Sequence, residues 1–322
     1  MRIVLITPYG ADQRGGNWHT AARWTDFLRD AGYEVEVSTE WNGAPADLMI
    51  ALHARRSCKS IHAFGQRHPS RPLIVVLTGT DLYRDIQSDP DAQVSLDLAH
   101  RLVVLQARGA DELKPEHAAK TRVIYQSAPE IPHRQQFGGP FRVLVVGHLR
   151  EEKDPFRAAL ASAYLPEHSR TQVMHLGRAL SAVMEQTARL AESRLPRYHW
   201  LGEQAHEAVM EQFSQADLLV VSSVMEGGAN VICEALAAGV PVIASAVSGN
   251  IGMLGEDYPG YYPLEDERKL AQLISKAEND PEFYAELVRQ CRNRRALMTP
   301  QREASSVRQL VGEFEMGVGK TV

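Results

Sequence analysis

Short apolar runs alternate along the chain with longer stretches whose apolar residues recur at helical spacing. Residues 2–7 (RIVLIT) predict a buried strand, and 17–31 a helix with Trp18, Ala22, Leu28 and Ala31 among its apolar positions. Residues 33–38 and 48–52 (LMIAL) predict two further strands, 55–67 a helix, 73–78 (LIVVLT) a strand and 90–99 a helix. Residues 101–105 (RLVVL) and 121–124 complete a set of six strands. Continuous apolar strands separated by helices predict a mostly parallel sheet covered on both faces.

The segment 127–140 (SAPEIPHRQQFGGP) interrupts this rhythm with three prolines and two glycines, and predicts a linker. Beyond it the alternation begins again. Strands are predicted at 141–147, 171–176, 198–201, 217–221 and 241–245, and helices at 154–163, 180–193, 205–214 and 229–238. Two long helices at 266–278 and 281–297 and an amphipathic stretch at 301–315 follow. The fold class is therefore α/β, with two Rossmann-like, doubly wound units. The predicted domains are 1–130 and 141–300, with 301–322 as a C-terminal helical segment not assigned to the second domain. Ligands of such sheets bind beyond the carboxyl ends of the strands, and two facing units are expected to leave a cleft.

Composition narrows the function. The chain has 322 residues, 35 Lys plus Arg against 40 Asp plus Glu, and a net charge of −5, so the basic footprint of a nucleic-acid binder is missing. The three cysteines, Cys58, Cys233 and Cys291, form no CxxC pair, and their odd number excludes a closed disulfide framework. A reducing cytoplasm is the expected setting. The N-terminal apolar run ends at Pro8 and is too short for a signal peptide, and no run reaches the length of a membrane span, so no stable membrane association is expected.

Three segments carry candidate chemistry. In VVSSVMEGGANVICEALAAGVPVIAS (220–245), a strand runs into a loop with Glu226, Gly227 and Gly228, and a helix begins near Ala229. A helix N-terminus presents unpaired amides and partial positive charge to a phosphate, and glycines let a ligand approach the backbone. Glu226 lies before the helix and Glu234 inside it; carboxylates suit sugar and ribose hydroxyls because they accept two hydrogen bonds. In VVGHLREEKDP (145–155), a strand ends at Gly147 with Arg150 and Lys153 close behind, cations that can neutralise a diphosphate leaving group. A capped helix with a solvated charged turn accounts for the same string. In TPYGADQRGGNWHTAARW, Gly15 and Gly16 precede Asn17, a candidate N-cap, which fits an anion cradle or an ordinary strand-to-helix loop.

Together these segments resemble the GT-B nucleotide-sugar glycosyltransferases, specifically the family-four, sucrose-synthase-like group, over nearly the whole chain, and the resemblance implies that the C-terminal helix, 301–322, crosses back to the N-terminal domain. The family's glutamate-x7-glutamate motif falls on Glu226 and Glu234. The resemblance implies that Glu226 faces the donor hexose and Glu234 the ribose. It implies that backbone amides around Gly228, Ala229, Asn230 and Val231 meet the sugar and diphosphate. Lys153 stands at the family's phosphate-binding lysine. The usual arginine after the glycine is His148 here, which leaves Arg150 as the substitute. Gly16, Gly147, Gly202 and Gly227 complete the donor side, and Glu226, Arg150 and Lys153 form the catalytic set.

The strings GGNWHTAARW, DLMIALHARRS, LTGTDLYRDI, RLVVLQ, GHLREEKDP and MEGGANV are similar to the selenosugar-forming relatives of that group. This second resemblance implies UDP-N-acetylglucosamine or UDP-glucose as donor and selenophosphate as acceptor, with no cofactor and no metal. The acceptor residues would be Asn17, Thr20, His53, Arg55, Arg56, Thr78, Thr80, Asp81 and Arg84, with Lys59 nearby. Arginine suits phosphate because its planar fork binds two oxygens. A solvated helix start explains Arg55, Arg56 and Lys59 equally, and an N-cap explains Asp81 equally. A conventional hydroxyl-acceptor transferase and a nucleotide-sugar-binding or epimerase-like protein are the alternatives.

Two patterns are set aside. GVGKT at 317–321 lacks the leading glycine of a phosphate-binding loop, because Phe314 stands there. Asp89-Pro90-Asp91 reads as a helix cap rather than a metal site, and the twelve histidines show no HExxH spacing.

Overall fold

The computed structural model describes residues 1–10, 15–132 and 139–315. The GVGKT string, residues 11–14 of the first loop and residues 133–138 of the predicted linker lie outside them. The chain divides into two units. One comprises Met1–Gln126 and the residues from Thr299 onward, and the other Ser127–Met298.

The first unit is built on a parallel sheet of β1 (Arg2–Ile6), β2 (Glu34–Ser38), β3 (Leu48–Leu52), β4 (Leu73–Leu77), β5 (Arg101–Val104) and β6 (Thr121–Val123). Their order is β2-β1-β3-β4-β5-β6. The central strands β3 and β4 are buried at every residue, because helices cover both faces of a parallel sheet. Edge strand β2, EVEVS, alternates instead. Helix Gly16–Asp30 buries Trp24 and Leu28 against this sheet, with Val307, Leu310 and Val311 of helix Pro300–Gly312 in the same core. The buried Glu303 carboxylate ties the two helices, accepting from Trp24 Nε1 at 2.8 Å and Arg23 Nε at 2.9 Å. The first helix starts at Gly16 with Gly15 as its cap, so Asn17 is not the N-cap.

The second unit holds β7 (Phe141–Val146), β8 (Thr171–Leu176), β9 (Tyr198–Gly202), β10 (Leu218–Val221), β11 (Val242–Ser245) and β12 (Tyr261–Tyr262). All pair in parallel, in the order β12-β11-β10-β7-β8-β9. The chain runs outward from β7 to β9, then returns to β10 on the other side of β7. Such a reversal of strand order leaves a crevice beyond the carboxyl ends of the two central strands, here β7 and β10. Helix Asn230–Ala237 follows β10 and buries Ile232, Cys233, Ala235 and Leu236. Helix Ser248–Leu254 follows β11 and buries Met253 and Leu254. Side-chain caps on Asp89, Asp266, Asp280 and Thr299 start four other helices, and the Asp89 carboxylate accepts from the Ala92 amide at 3.0 Å, as its cap reading expects.

Candidate functional site

The crevice of the second unit lies just beyond the ends of β7 and β10, at Gly147 and Ser222. The first loop turns through Arg150, Glu151–Lys153 and Asp154, and the second carries Glu226 to the start of helix Asn230–Ala237. The two loops bring Lys153 and Glu226 together although 73 residues separate them: Lys153 Nζ donates to Glu226 Oε1. Glu226 is 8% exposed and takes a second hydrogen bond on the same oxygen from Ser223 Oγ, at 2.6 Å. A nearly buried carboxylate held by a cation and a hydroxyl is fixed in direction. Gly147, Lys153, His175, Ser222, Ser223 and Glu226 all line one small cavity at this point.

Two glycines make the crevice possible. A Cβ on Gly177, whose φ is +151°, would lie 1.9 Å from the Gly147 carbonyl oxygen. A Cβ on Gly249 would lie 1.7 Å from the Glu226 carbonyl oxygen. Both are backbone contacts that no side-chain movement relieves.

The other expected donor residues are distributed unevenly. Arg150 is exposed, and its carbonyl accepts the Lys153 amide at 3.0 Å. His148 accepts the Arg178 amide on Nδ1 at 3.2 Å; burial, and then the Arg178 charge, lower its pKa, so it stands as a neutral imidazole where an arginine was expected. The Ala229 amide is not turned to a ligand: it donates to Met253 Sδ at 3.1 Å. Gly227 and Gly228 precede it, Asn230 and Val231 open the helix, and Glu234 lies within it. Gly202, with φ +67°, ends β9, and its carbonyl accepts the Gly177 amide. Gly16 opens the first helix of the other unit.

The first unit reverses its strand order between β1 and β3, and the acceptor candidates gather near that point. His53 follows β3 with φ +73°. Its Nε2 is 3.1 Å from Thr80 Oγ1, and its Nδ1 accepts the Arg56 amide. Arg56 is exposed, its guanidinium 5.1 Å from the Tyr9 ring centre. Arg55 and Arg84 both reach the buried Asp85 carboxylate, at 2.8 and 3.4 Å. Two expectations change here. The Asp81 carboxylate is spent on the amides of Ala54, Thr78 and Gly79 at 2.9–3.0 Å, so it joins two loops rather than orienting an acceptor. Thr20 is buried, donates to the Gly16 carbonyl and accepts from Gln126 Nε2, so its hydroxyl serves the helix start.

Sequence reasoning overlooked Ser222, Ser223, Ser245, Asn250 and His175. His175 lies in β8 beneath Gly147, bonded to Tyr198 Oη at 2.8 Å, and burial pushes its pKa down to about 4. Serines closing an otherwise apolar strand, and one histidine inside TQVMHL, were the available signals. Among the described residues, no group of three or more His, Cys, Asp or Glu is placed to hold a metal, and no helix is long and apolar enough to cross a membrane.

Residues 128–294, just over half of the chain, match the glycosyl transferases group 1 family. The chain belongs to that family. This group 1 glycosyltransferase shares its GT-B fold, two Rossmann-like units each on a six-strand parallel sheet, with solved structures at low identity. Sucrose-phosphate synthase from Thermosynechococcus elongatus is 19% identical, with a TM-score of 0.79 over 98% of this chain and 100% of that one. HepE of Anabaena, solved in complex with UDP and glucose, is 18% identical, with a TM-score of 0.74 over 98% and 100%. A glycosyltransferase from Rickettsia africae is 11% identical, with a TM-score of 0.73 over 99% of each chain. No curated protein matches the sequence of this group 1 glycosyltransferase.

Proposed function

We propose that the protein transfers a hexose, glucose or N-acetylglucosamine, from a UDP-sugar to selenophosphate. The observation that carries the donor half is the meeting of Lys153 and Glu226 at the crevice between β7 and β10. A cation and a carboxylate side by side match a diphosphate joined to a sugar: Lys153 takes the phosphate charge, and Glu226 accepts from hexose hydroxyls. Glu234 serves the ribose. The complexes of HepE with UDP, and with UDP-glucose, support UDP as the nucleotide.

The acceptor half is supported by the N-terminal strings and by the cations at the reversal point of the first unit. Three cations, Arg55, Arg56 and Arg84, stand at this corner against two carboxylates: Asp85 pairs with Arg55 and Arg84, and Asp81 accepts from amides. That suits an acceptor that is itself an anion and already nucleophilic. A selenium lone pair attacks the anomeric carbon, the bond from that carbon to the diphosphate oxygen breaks, and UDP leaves with the electron pair. Water then cleaves the selenium–phosphorus bond, giving a 1-selenosugar and phosphate. Arg150 and Lys153 stabilise the departing UDP, and the donor is a substrate, so no cofactor is required.

An acceptor screen tests this reading. UDP release from UDP-glucose and UDP-N-acetylglucosamine is followed with selenophosphate, thiophosphate and simple alcohols. Release that depends on selenophosphate, and that falls more than about tenfold in Lys153→Ala and Glu226→Gln, is the expected result. Equal release with alcohols would assign a hydroxyl acceptor, and release without any acceptor would assign hydrolysis or epimerisation.

A further inference from the structure

Lys153 and Glu226 sit on different loops, yet two adjacent residues at the end of β10 hold both. In extended chain, successive side chains point to opposite sides. Ser222 Oγ lies 2.9 Å from the Lys153 carbonyl and 2.8 Å from the Asp154 carbonyl, and donates its proton to this pair of oxygens. It thereby grips the backbone where Asp154 adopts a left-handed conformation, φ +41°. The Val224 amide adds a second tether, to the Glu152 carbonyl at 3.0 Å. Ser223 works the other side. Its hydroxyl donates to Glu226 Oε1, and its carbonyl accepts from Ser245 Oγ at 2.6 Å. Ser245 in turn accepts from Asn250 Nδ2 at 3.0 Å on both its oxygens. Ser222, Ser223, Ser245 and Asn250 are all buried. Buried hydrogen bonds of this kind resist rearrangement because breaking one strands a desolvated group.

We infer that Ser222 and Ser223 are separate positioning residues for the two ends of the donor: Ser222 sets Lys153 for the diphosphate, and Ser223, backed by Ser245 and Asn250, sets Glu226 for the hexose. The inference rests on the UDP-sugar reading above. It makes each serine answerable to a different part of one ligand, which a general loss of stability does not do.

Binding of UDP and of UDP-glucose is measured by calorimetry on the intact chain, so no acceptor is needed. Ser222→Ala weakens both ligands by the same factor, about five- to tenfold. Ser223→Ala weakens UDP-glucose by about fivefold and leaves UDP within about twofold. Ser223→Thr, which keeps the hydroxyl, restores at least half of that loss on a logarithmic scale. In a Glu226→Gln background, Ser223→Ala adds less than about twofold, because the two residues act through one contact. If Ser223→Ala does not fold, Ser245→Ala carries the same expectation at about threefold, with UDP unchanged. Equal effects of the two serine variants on both ligands, or no effect of either, overturn the inference. A wild-type chain that binds neither ligand overturns the donor reading instead.

Discussion

His175 gives the crevice a built-in dependence on pH. It is 1% exposed beneath Gly147, and burial lowers its pKa from the ordinary 6.5 to about 4. The unfolded chain therefore takes up the proton first as pH falls. The stabilising contribution is complete above pH 6.5, is lost as pH drops toward 4, and changes no further below that. Integrating proton uptake between the two values costs the folded state about 2 kcal/mol on going from pH 8 to pH 5, and about 3 kcal/mol in full. His175→Gln keeps a polar group opposite Tyr198 and cannot take up a proton. Urea unfolding from pH 5 to pH 8, followed by tryptophan fluorescence, measures the effect; of the four tryptophans, Trp200 alone lies in the second unit and reports on it. The variant is less stable at pH 8 but loses about 2 kcal/mol less than wild type on acidification to pH 5. Parallel stability curves for the two proteins would refute the assignment of a buried, neutral His175.

Further outcomes follow from the same geometry. Gly177→Ala and Gly249→Ala drive a methyl into the Gly147 and Glu226 carbonyls, and each lowers stability by more than about 3 kcal/mol in thermal or urea unfolding. Glu303→Ala strips Trp24 and Arg23 of their shared partner and costs the first unit about 3 kcal/mol, read as a lower unfolding midpoint. Lys153→Ala weakens UDP binding by more than about tenfold in calorimetry, because the diphosphate loses a charged partner. The same assay applied to Arg56→Ala leaves UDP affinity within about twofold, because the proposal assigns that residue to the acceptor.

The strands were legible because parallel sheets covered on both faces are written as unbroken apolar runs; LMIAL and LIVVL fall on β3 and β4 almost residue for residue. Helix Ser248–Leu254 was not legible. Its sequence, SGNIGML, has two glycines, a serine and an asparagine, all poor helix formers, and packing of Met253, Leu254 and Asn250 holds it. The helical turn Asp81–Asp85 depends on a contact no local pattern shows: the Asp81 carboxylate accepts the Thr78 and Gly79 amides of the loop ahead of it and the remote Ala54 amide. At the site, glutamates and lysine were readable as residue types at strand ends. Their pairing was not, because it depends on which strands are neighbours: β7 meets β10 only after the chain has laid down β8 and β9. The same holds for the arginines of the first unit, where Asp85 takes up both Arg55 and Arg84.

In the proposed reaction, selenium from selenophosphate becomes bonded to the anomeric carbon of a hexose donated by a UDP-sugar. Mass spectrometry of the products of UDP-glucose or UDP-N-acetylglucosamine with selenophosphate tests it directly, since the selenium isotope pattern marks any product that carries the element. The expected product is a selenium-bearing hexose, formed together with UDP and phosphate and absent when Glu226→Gln replaces the wild-type chain. UDP formed with no selenium in any sugar product would contradict it.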